Sequence, residues 1–338
     1  MGILSVLGRL YGRVANLRNT LYDKGVFETH DLGARTISIG NITTGGTGKT
    51  PLVAYVACVL AARGKKVCIL TRGYGRENPG QRVLVSDGQE IFTHSRTAGD
   101  EPFELAQKLL GKAIVIADAD RVAAAEWAKR KFGVTAFVLD DGFQHRKAKR
   151  DVDIVCLDAT NPFGGGMLPA GRLREPLANL ARADVIVLMA EQPVPYHLGL
   201  HKDIQDIALD APIFEALRSI RRCSALEDFL AGRIEAGERI LSEKVFAFCG
   251  LGNPANFWGT LGHNGFQVSE MKAFDDHHRY NQRDIVDIEK AAKEVEAAVL
   301  VTTAKDAVKL RDLTFTLPCF VVEIELLLDN PSGFAALI

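Results

Sequence analysis

The sequence predicts an α/β fold, a doubly wound and mostly parallel sheet followed by a second, smaller α/β domain. Short apolar, β-branched runs alternate with helical segments along the chain, as in parallel sheets covered on both faces. A glycine-rich turn lies between the first strand-like run and a helix, a context typical of phosphate binding. The chain has 338 residues, and one core rarely grows beyond roughly 250–300 residues.

The first domain is predicted at residues 26–215, where each apolar run is short enough for one buried strand. Its crossovers should be right-handed, as is general between parallel strands. The predicted strands are Arg35–Gly40, Val67–Thr71, Ala113–Ala117, Ala136–Leu139, Asp153–Leu157 and Asp184–Met189. The predicted helices are Thr50 to about Arg63, Pro102–Leu110 and Arg121–Lys131.

The second domain is predicted at residues 216–338, after a polar and poorly periodic stretch at 190–215. Alternation of strand and helix patterns resumes at Lys244. The predicted strands are Val245–Gly250, Phe266–Phe274 and Val299–Thr303, and the predicted helices are Pro254–Leu261 and Arg283–Ala297.

Residues 1–25 are predicted to form a basic amphipathic helix that is part of the first domain. Apolar residues spaced four and three apart give it one continuous stripe, formed by Ile3, Leu7, Leu10, Val14, Leu17 and Leu21. The basic residues beside the stripe are Arg9, Arg13, Arg18 and Lys24. Such a helix either lies in a membrane interface or docks its apolar stripe on its own domain, and the sequence leaves both possibilities open.

Composition excludes several classes of protein. The net charge of −1 leaves no basic excess for general nucleic-acid binding. The six cysteines are scattered without a CxxC pair, which indicates reduced cytosolic thiols and neither a disulfide framework nor a zinc site. No apolar run is long enough to span a membrane, and no signal peptide is recognisable at the N-terminus.

The strongest chemical signal is the run from Thr43 to Thr50, between a predicted strand and a predicted helix. It reads Thr43, Thr44, Gly45, Gly46, Thr47, Gly48, Lys49, Thr50. Its glycines let backbone N–H groups surround phosphate oxygens, Lys49 would reach the β- and γ-phosphates, and the Thr50 hydroxyl would bind Mg²⁺. The match to the P-loop motif is incomplete, because threonine stands at 43 where the motif has its first glycine.

Two adjacent carboxylates, Asp140 and Asp141, end the apolar run that begins at Ala136. A P-loop needs an acidic partner for its metal at the end of a neighbouring strand, so we expect these residues to coordinate Mg²⁺ or to lie next to its ligands.

Other candidates follow the remaining predicted strands, where ligands gather in open α/β sheets. Arg72 and Arg121 carry guanidinium groups suited to transferring phosphoryl oxygens, although each taken singly also fits a solvated surface residue. Asp100 precedes a predicted helix and fits an N-cap equally well, so physical chemistry alone does not select it as a catalytic base.

The sequence as a whole resembles the tetraacyldisaccharide 4'-kinase family, the lipid A 4'-kinases of Gram-negative bacteria. The motifs that carry the resemblance, in order between about 35 and 310, are TGGTGKT, TRGYGR, GDEP, DDGFQHR, LPAGRLREP, FDDHHRY and TTAKDAVKL. Two of them, DDGFQHR and LPAGRLREP, are specific to that family, whereas the P-loop is shared by many.

The resemblance implies a P-loop kinase that transfers the ATP γ-phosphate to the 4'-hydroxyl of an acylated glucosamine disaccharide 1-phosphate. ATP and Mg²⁺ are the implied cofactors, and the enzyme would be peripheral on the cytoplasmic face of the inner membrane, with no obligate protein partner. Asp100 would be the general base, oriented by His277 or His278, of which His277 is preferred. Arg72 and Arg121 would contact phosphate.

Several readings stay open. Arg172 and Arg174, in a glycine-dense loop, fit contacts to an anionic substrate or a structural turn with exposed arginines, and Lys305 receives no role. One alternative is a membrane-cycling regulatory P-loop ATPase, whose signature lysine would fall at 44, a threonine here. Another is a dinucleotide-dependent oxidoreductase, because Gly250–Ala255 forms a GxGxxA turn, which alone is weak support.

Overall fold

The computed structural model describes residues 3–45, 48–190, 198–233, 240–276 and 278–338. The chain divides into two units, Met1–Leu217 with Leu327–Ile338, and Arg218–Leu326. The second domain was therefore predicted too long at its end, because the last residues fold with the first unit. There the Phe334 ring packs edge-on against Phe214 and Tyr55, at centroid distances of 5.3 and 5.9 Å.

The first unit contains most of the helices and strands. Its strands are β1 (Arg35–Gly40), β2 (Val67–Thr71), β3 (Val83–Ser86), β4 (Ala113–Ala117), β5 (Ala136–Asp140), β6 (Val152–Asp158), β7 (Val185–Ala190) and the start of β8 (Ile213–Ala225). Its helices are α1 (Ile3–Asp23), α2 (Lys49–Ala62), α3 (Ser95–Ala98), α4 (Asp100–Lys108), α5 (Arg121–Phe132), α6 (Leu198–Gln205) and α11 (Pro331–Leu337), with a 3₁₀ helix at Leu177–Arg182.

The sheet of the first unit has the strand order β8-β7-β6-β1-β5-β2-β4-β3. All its pairings are parallel except that of β3 with β4, and strands such as β2, β4 and β5 are buried along their whole length. This confirms the predicted fold class. The carboxyl ends of β1, β2, β4 and β5 meet at one edge, which is where ligands bind in such sheets.

The second unit has the strand order β10-β9-β11-β12, and these pairings are also parallel. Its elements are the end of β8, α7 (Leu226–Leu230), β9 (Lys244–Cys249), α8 (Pro254–His263), β10 (Gln267–Ala273), α9 (Gln282–Glu294), β11 (Val299–Thr303), α10 (Ala304–Ala307) and β12 (Cys319–Leu328). No disulfide joins any of the six cysteines, all of which lie in described residues.

Helix α1 docks on the first unit, but not through its apolar stripe. Its inward side carries small and polar residues, of which Gly8, Gly12 and Asn19 are buried. The middle of the stripe faces outward, with the side chains of Leu10 and Leu17 58% and 61% exposed, while Leu21 is partly buried. Of the two possibilities that the sequence left open, docking of the stripe on its own domain is therefore not seen for Leu10 and Leu17. No helix among the described residues is long and apolar enough to cross a membrane.

Candidate active site

The phosphate turn lies between β1 and α2, as predicted. Gly45 and Gly48 have φ angles of 104° and 79°, which lie in the left-handed region that glycine adopts without a steric penalty. Helix α2 begins at Lys49 and holds Thr50 in its first turn. The predicted cofactor-binding residues Gly46 and Thr47 lie outside the described residues.

Arg172 contacts this turn directly. The Thr44 amide donates to the Arg172 carbonyl oxygen at 2.7 Å, and the Arg172 Nε donates to the Thr44 carbonyl oxygen at 2.9 Å. Thr43 forms an isolated β-bridge with Leu173. The glycine-dense loop is therefore hydrogen-bonded to the phosphate turn, and its two arginines are neither exposed nor free of protein contacts.

Asp140 and Asp141 lie at the carboxyl end of β5, beside this turn. The Thr71 hydroxyl donates to Asp140 Oδ2 at 2.8 Å. The Asp141 carboxylate lies between two cations, 3.1 Å from Lys49 Nζ and 2.8 Å from Arg174 Nη1. Arg174 thus joins the site through a carboxylate, a role that the sequence did not suggest.

The two carboxyl groups have opposite electrostatic environments. Burial, together with the charges of Glu101 and Asp141, raises the pKa of Asp140 to about 7. Burial alone would also raise the pKa of Asp141, but Lys49 and Arg174 hold it below its ordinary value. Burial likewise opposes the charge on Lys49, yet Asp141 raises its pKa above the ordinary value. In this buried site, the charges of Lys49 and Asp141 therefore stabilise each other, whereas the ionised form of Asp140 is disfavoured.

The donor set at this edge fits a magnesium ion. Thr50, Asp140 and Asp141 offer hydroxyl and carboxylate oxygens, the ligands that Mg²⁺ prefers. Burial and the neighbouring carboxylates disfavour the ionised form of Asp140, and Lys49 offsets this only in part; a divalent cation would stabilise that form further. No group of three or more His, Cys, Asp or Glu side chains in the described residues is arranged to hold a metal.

The two candidate arginines differ in their surroundings. Arg121 is 5% exposed and begins α5, with Asp120 as its N-cap. Burial lowers the pKa of its guanidinium, whereas Asp140 and Asp141 oppose that shift. Arg72 is exposed, with its guanidinium over the Tyr74 ring. Arg121 is therefore a buried cation at the site and not the solvated residue that a single arginine suggests.

Asp100 is the first residue of α4, and Gly99, not Asp100, is the N-cap. The φ of Gly99 is 95°, and a Cβ there would lie 2.8 Å from the Tyr74 carbonyl oxygen. This close approach holds the start of α4 against the segment that follows β2. The neighbouring Glu101 raises the pKa of both Asp140 and Lys49, so the start of α4 lies near the phosphate turn.

The two histidines predicted as possible partners of Asp100 belong to the second unit, and only one of them is described. His277 lies outside the described residues. His278 Nε2 lies 3.0 Å from Asp284 Oδ2, and its ring stacks on Phe274 with centroids 4.5 Å apart. His278 thus anchors its own loop to the start of α9. Lys305 Nζ lies 2.9 Å from Asp276 Oδ1, so it also fastens this loop.

Comparison with known proteins identifies the family. A family model described as tetraacyldisaccharide-1-P 4'-kinase matches residues 2–338. The chain belongs to the tetraacyldisaccharide-1-P 4'-kinase family. This confirms the identification made from the sequence motifs, and it favours neither the regulatory ATPase nor the oxidoreductase.

Individual members of this kinase family are similar over nearly the whole chain. The tetraacyldisaccharide 4'-kinase of Halothermothrix orenii is 37% identical over 356 residues, covering 99% of this chain and 91% of the relative. That of Chlorobaculum parvum is 40% identical over 320 residues, covering 92% and 84%. A crystal structure of LpxK from Aquifex aeolicus in complex with ATP has a TM-score of 0.74 at 32% identity, covering 98% of this chain and 96% of that one.

His145, in the DDGFQHR motif that marks this kinase family, gives a prediction on stability. Burial, together with Arg121 and Arg150, lowers its pKa to about 4. The folded protein therefore binds this proton less readily than the unfolded chain, and stability present above about pH 6.5 is lost as the pH falls towards 4.

We expect this loss to be on the order of 2 kcal/mol in the free energy of unfolding. Denaturant titrations of the wild type and of His145→Gln at several pH values measure it. The variant should lose less stability than the wild type between pH 6.5 and 4. Equal losses of stability in the wild type and the variant would show that protonation of His145 is not the cause.

Proposed function

We propose that this chain transfers the γ-phosphate of ATP, as its magnesium complex, to the 4'-hydroxyl of an acylated glucosamine disaccharide 1-phosphate. The observation that carries the proposal is the arrangement at the carboxyl edge of the first unit's sheet. There the phosphate turn, the ion pair of Lys49 with Asp141, and the start of α4 lie together. The family to which the chain belongs supplies the substrate.

Each residue at this edge has a part that its position supports. Backbone amides of the turn and Lys49 would hold the triphosphate, as in other P-loop proteins. Thr50, Asp140 and Asp141 would hold Mg²⁺, which neutralises charge on the phosphates when bound. Arg121, already buried beside the two aspartates, is suited to the charge that develops on the transferred group.

Asp100 is the proposed base for the sugar hydroxyl. A carboxylate is a weak base towards an alcohol, but phosphoryl transfer tolerates this because its loose transition state requires mainly positioning and charge neutralisation. Since Gly99 is the N-cap, the Asp100 carboxylate does not serve as the cap of α4. His278 is engaged with Asp284, so His277 remains the preferred histidine partner.

The exposed stripe of α1 supports a peripheral site of action, on the cytoplasmic face of the inner membrane. A substrate with four acyl chains leaves a bilayer only at about 0.8 kcal/mol per CH₂, so the enzyme has to reach the head group at the surface. The outward side chains of α1, among them Leu10, Val14 and Leu17, are more than half exposed. Basic residues beside them would favour an anionic surface.

Point variants in the stripe test membrane attachment. We expect Leu10→Asp/Leu17→Asp to weaken binding to vesicles of anionic lipid about 10³-fold, because each leucine contributes about 2 kcal/mol when buried in the interface. The melting temperature should stay unchanged, since both side chains are exposed. Sedimentation with vesicles measures the effect. An unchanged pellet fraction would place the membrane-binding surface elsewhere.

Deleting residues 1–22 is a weaker test, because α1 also docks on the first unit. Such a deletion would lower both membrane binding and thermal stability, whichever role the stripe has.

The function itself is tested by measuring ADP release in the presence and absence of the acyl-disaccharide acceptor. The proposal predicts that ADP release depends on the acceptor. ADP release that rises with plain vesicles and ignores the acceptor would instead favour the regulatory ATPase.

A further inference from the structure

Two of the contacts of helix α1 lie on either side of one short segment of the first unit. The first contact is with Met167, against which Gly8 and Gly12 pack closely. A Cβ at Gly8 would lie 3.0 Å from the Met167 carbonyl oxygen, and a Cβ at Gly12 would lie 3.4 Å from Met167 Cε and Cγ. A Cβ at Gly8 would therefore be tighter than an ordinary contact, and a larger side chain at either glycine would push against Met167.

The second contact is with Glu175, a residue that is 2% exposed. Asn19 Nδ2 donates to Glu175 Oε2 at 2.9 Å. The same carboxylate accepts hydrogen bonds from Gln144 Nε2 and from Arg182 Nη2, each at 2.8 Å. Glu175 therefore joins α1, the DDGFQHR turn and the 3₁₀ helix at one buried point.

Residues 172–174, between these two contacts, are bonded to the phosphate site. The Arg172 carbonyl oxygen accepts from the Thr44 amide and its Nε donates to the Thr44 carbonyl oxygen. The Arg174 amide donates to the Ile42 carbonyl oxygen at 2.8 Å. The Arg174 side chain then reaches Asp141. A shift of α1 on Met167 or Glu175 would therefore move the groups that hold the phosphate turn and the proposed metal carboxylate.

We propose that Asn19 is a positioning residue for nucleotide binding: through Glu175 it fixes the segment that holds the phosphate turn and Asp141. The inference rests on the proposed function for the identity of the ligand, Mg-ATP. It gives α1 a second task, because its inward face sets the geometry of the phosphate site while its outward face meets the lipid.

The chain offers a matched control on the same helix. Asn16 also makes a side-chain hydrogen bond, with Asn179 Nδ2 donating to its Oδ1 at 3.0 Å. Its partner lies in the 3₁₀ helix and makes no described contact with the phosphate turn. Loss of either bond removes one polar contact of α1. Only the Asn19 bond reaches Glu175 directly, whereas Asn179 reaches it through its backbone carbonyl and the Arg182 side chain.

The test measures Mg-ATP affinity directly, by titration calorimetry without lipid, on the full-length protein. We expect Asn19→Ala to weaken Mg-ATP binding about tenfold, with Asn16→Ala at the wild-type value. Asn19→Asp should be at least as severe, because it places a second carboxylate against Glu175. In the transfer assay, the KM for ATP should rise while the KM for the lipid and the fraction bound to vesicles stay unchanged.

A second variant changes the other contact of α1, that of Gly12 with Met167. Gly12→Leu, which forces α1 away from Met167, should weaken Mg-ATP binding in the same way, so the inference does not depend on the folding of one variant. Wild-type affinity in folded Asn19→Ala and Gly12→Leu proteins would overturn the inference, as would an equal loss in Asn16→Ala. Failure of the wild type to phosphorylate the lipid would overturn the proposed function, and the binding comparison would still decide the role of Asn19.

Discussion

Replacing Lys49 with methionine is expected to lower kcat for phosphoryl transfer about 10³-fold, the scale on which removal of one preorganised charge acts. Lys49 Nζ lies 3.1 Å from Asp141, and the pKa of the ammonium group is raised, so it is fully charged at neutral pH. Methionine keeps much of the length and removes the charge. Steady-state kinetics with the acyl-disaccharide acceptor measure the effect.

Stability should change less than activity in this variant, because Arg174 remains 2.8 Å from the Asp141 carboxylate. Lys65→Met, at an exposed position after α2, is the matched control and should keep wild-type activity. A Lys49→Met enzyme with kcat near the wild-type value would contradict the assignment of the phosphate turn.

The second large effect is expected at Asp100. Asp100→Asn should lower kcat by about 10²–10⁴-fold, the usual contribution of a general base, with little change in the KM for ATP. The asparagine preserves size and polarity at the start of α4, so the melting temperature should stay close to that of the wild type. Asp210→Asn, at an exposed position, is the control and should leave kcat unchanged.

The pairing of Asp100 with His277 stays a prediction, and a double variant tests it. If the two act as a unit, His277→Ala should add little to the loss already caused by Asp100→Asn, because residues that act together are strongly non-additive. Fully additive losses would show that the two side chains act independently. His278→Ala should instead lower stability, because that ring is bonded to Asp284 and stacked on Phe274.

The fold was predictable where burial on both faces dictates the sequence. Val67–Thr71 and Ala113–Ala117 are buried throughout, and their bounds follow directly from the apolar runs. The strand Val83–Ser86 was missed because it is short and lies at the sheet edge. Ile213–Ala225 was missed because charged residues interrupt it, and half of its positions are only partly buried.

The site was predictable where polar residues end an apolar strand, as Asp140 and Asp141 do. The role of Arg174 was not predictable, because its contact with Asp141 spans 33 residues and depends on how the intervening loop folds back. The orientation of α1 was not predictable either. Its apolar stripe is suited to either a membrane or a protein core, and the inward face is marked by the approach of Gly8 and Gly12 to Met167 and by the buried bond of Asn19 to Glu175.

The central claim is that the γ-phosphate held at Lys49 passes to a sugar hydroxyl at a lipid surface and not to water. A single-turnover experiment with γ-labelled ATP, excess enzyme and the acyl-disaccharide 1-phosphate in mixed micelles tests it most directly. The account predicts that the label appears on the 4'-oxygen of the glycolipid in the wild type and is absent from the lipid in Lys49→Met. Label recovered as inorganic phosphate, with the glycolipid unmodified, would contradict it.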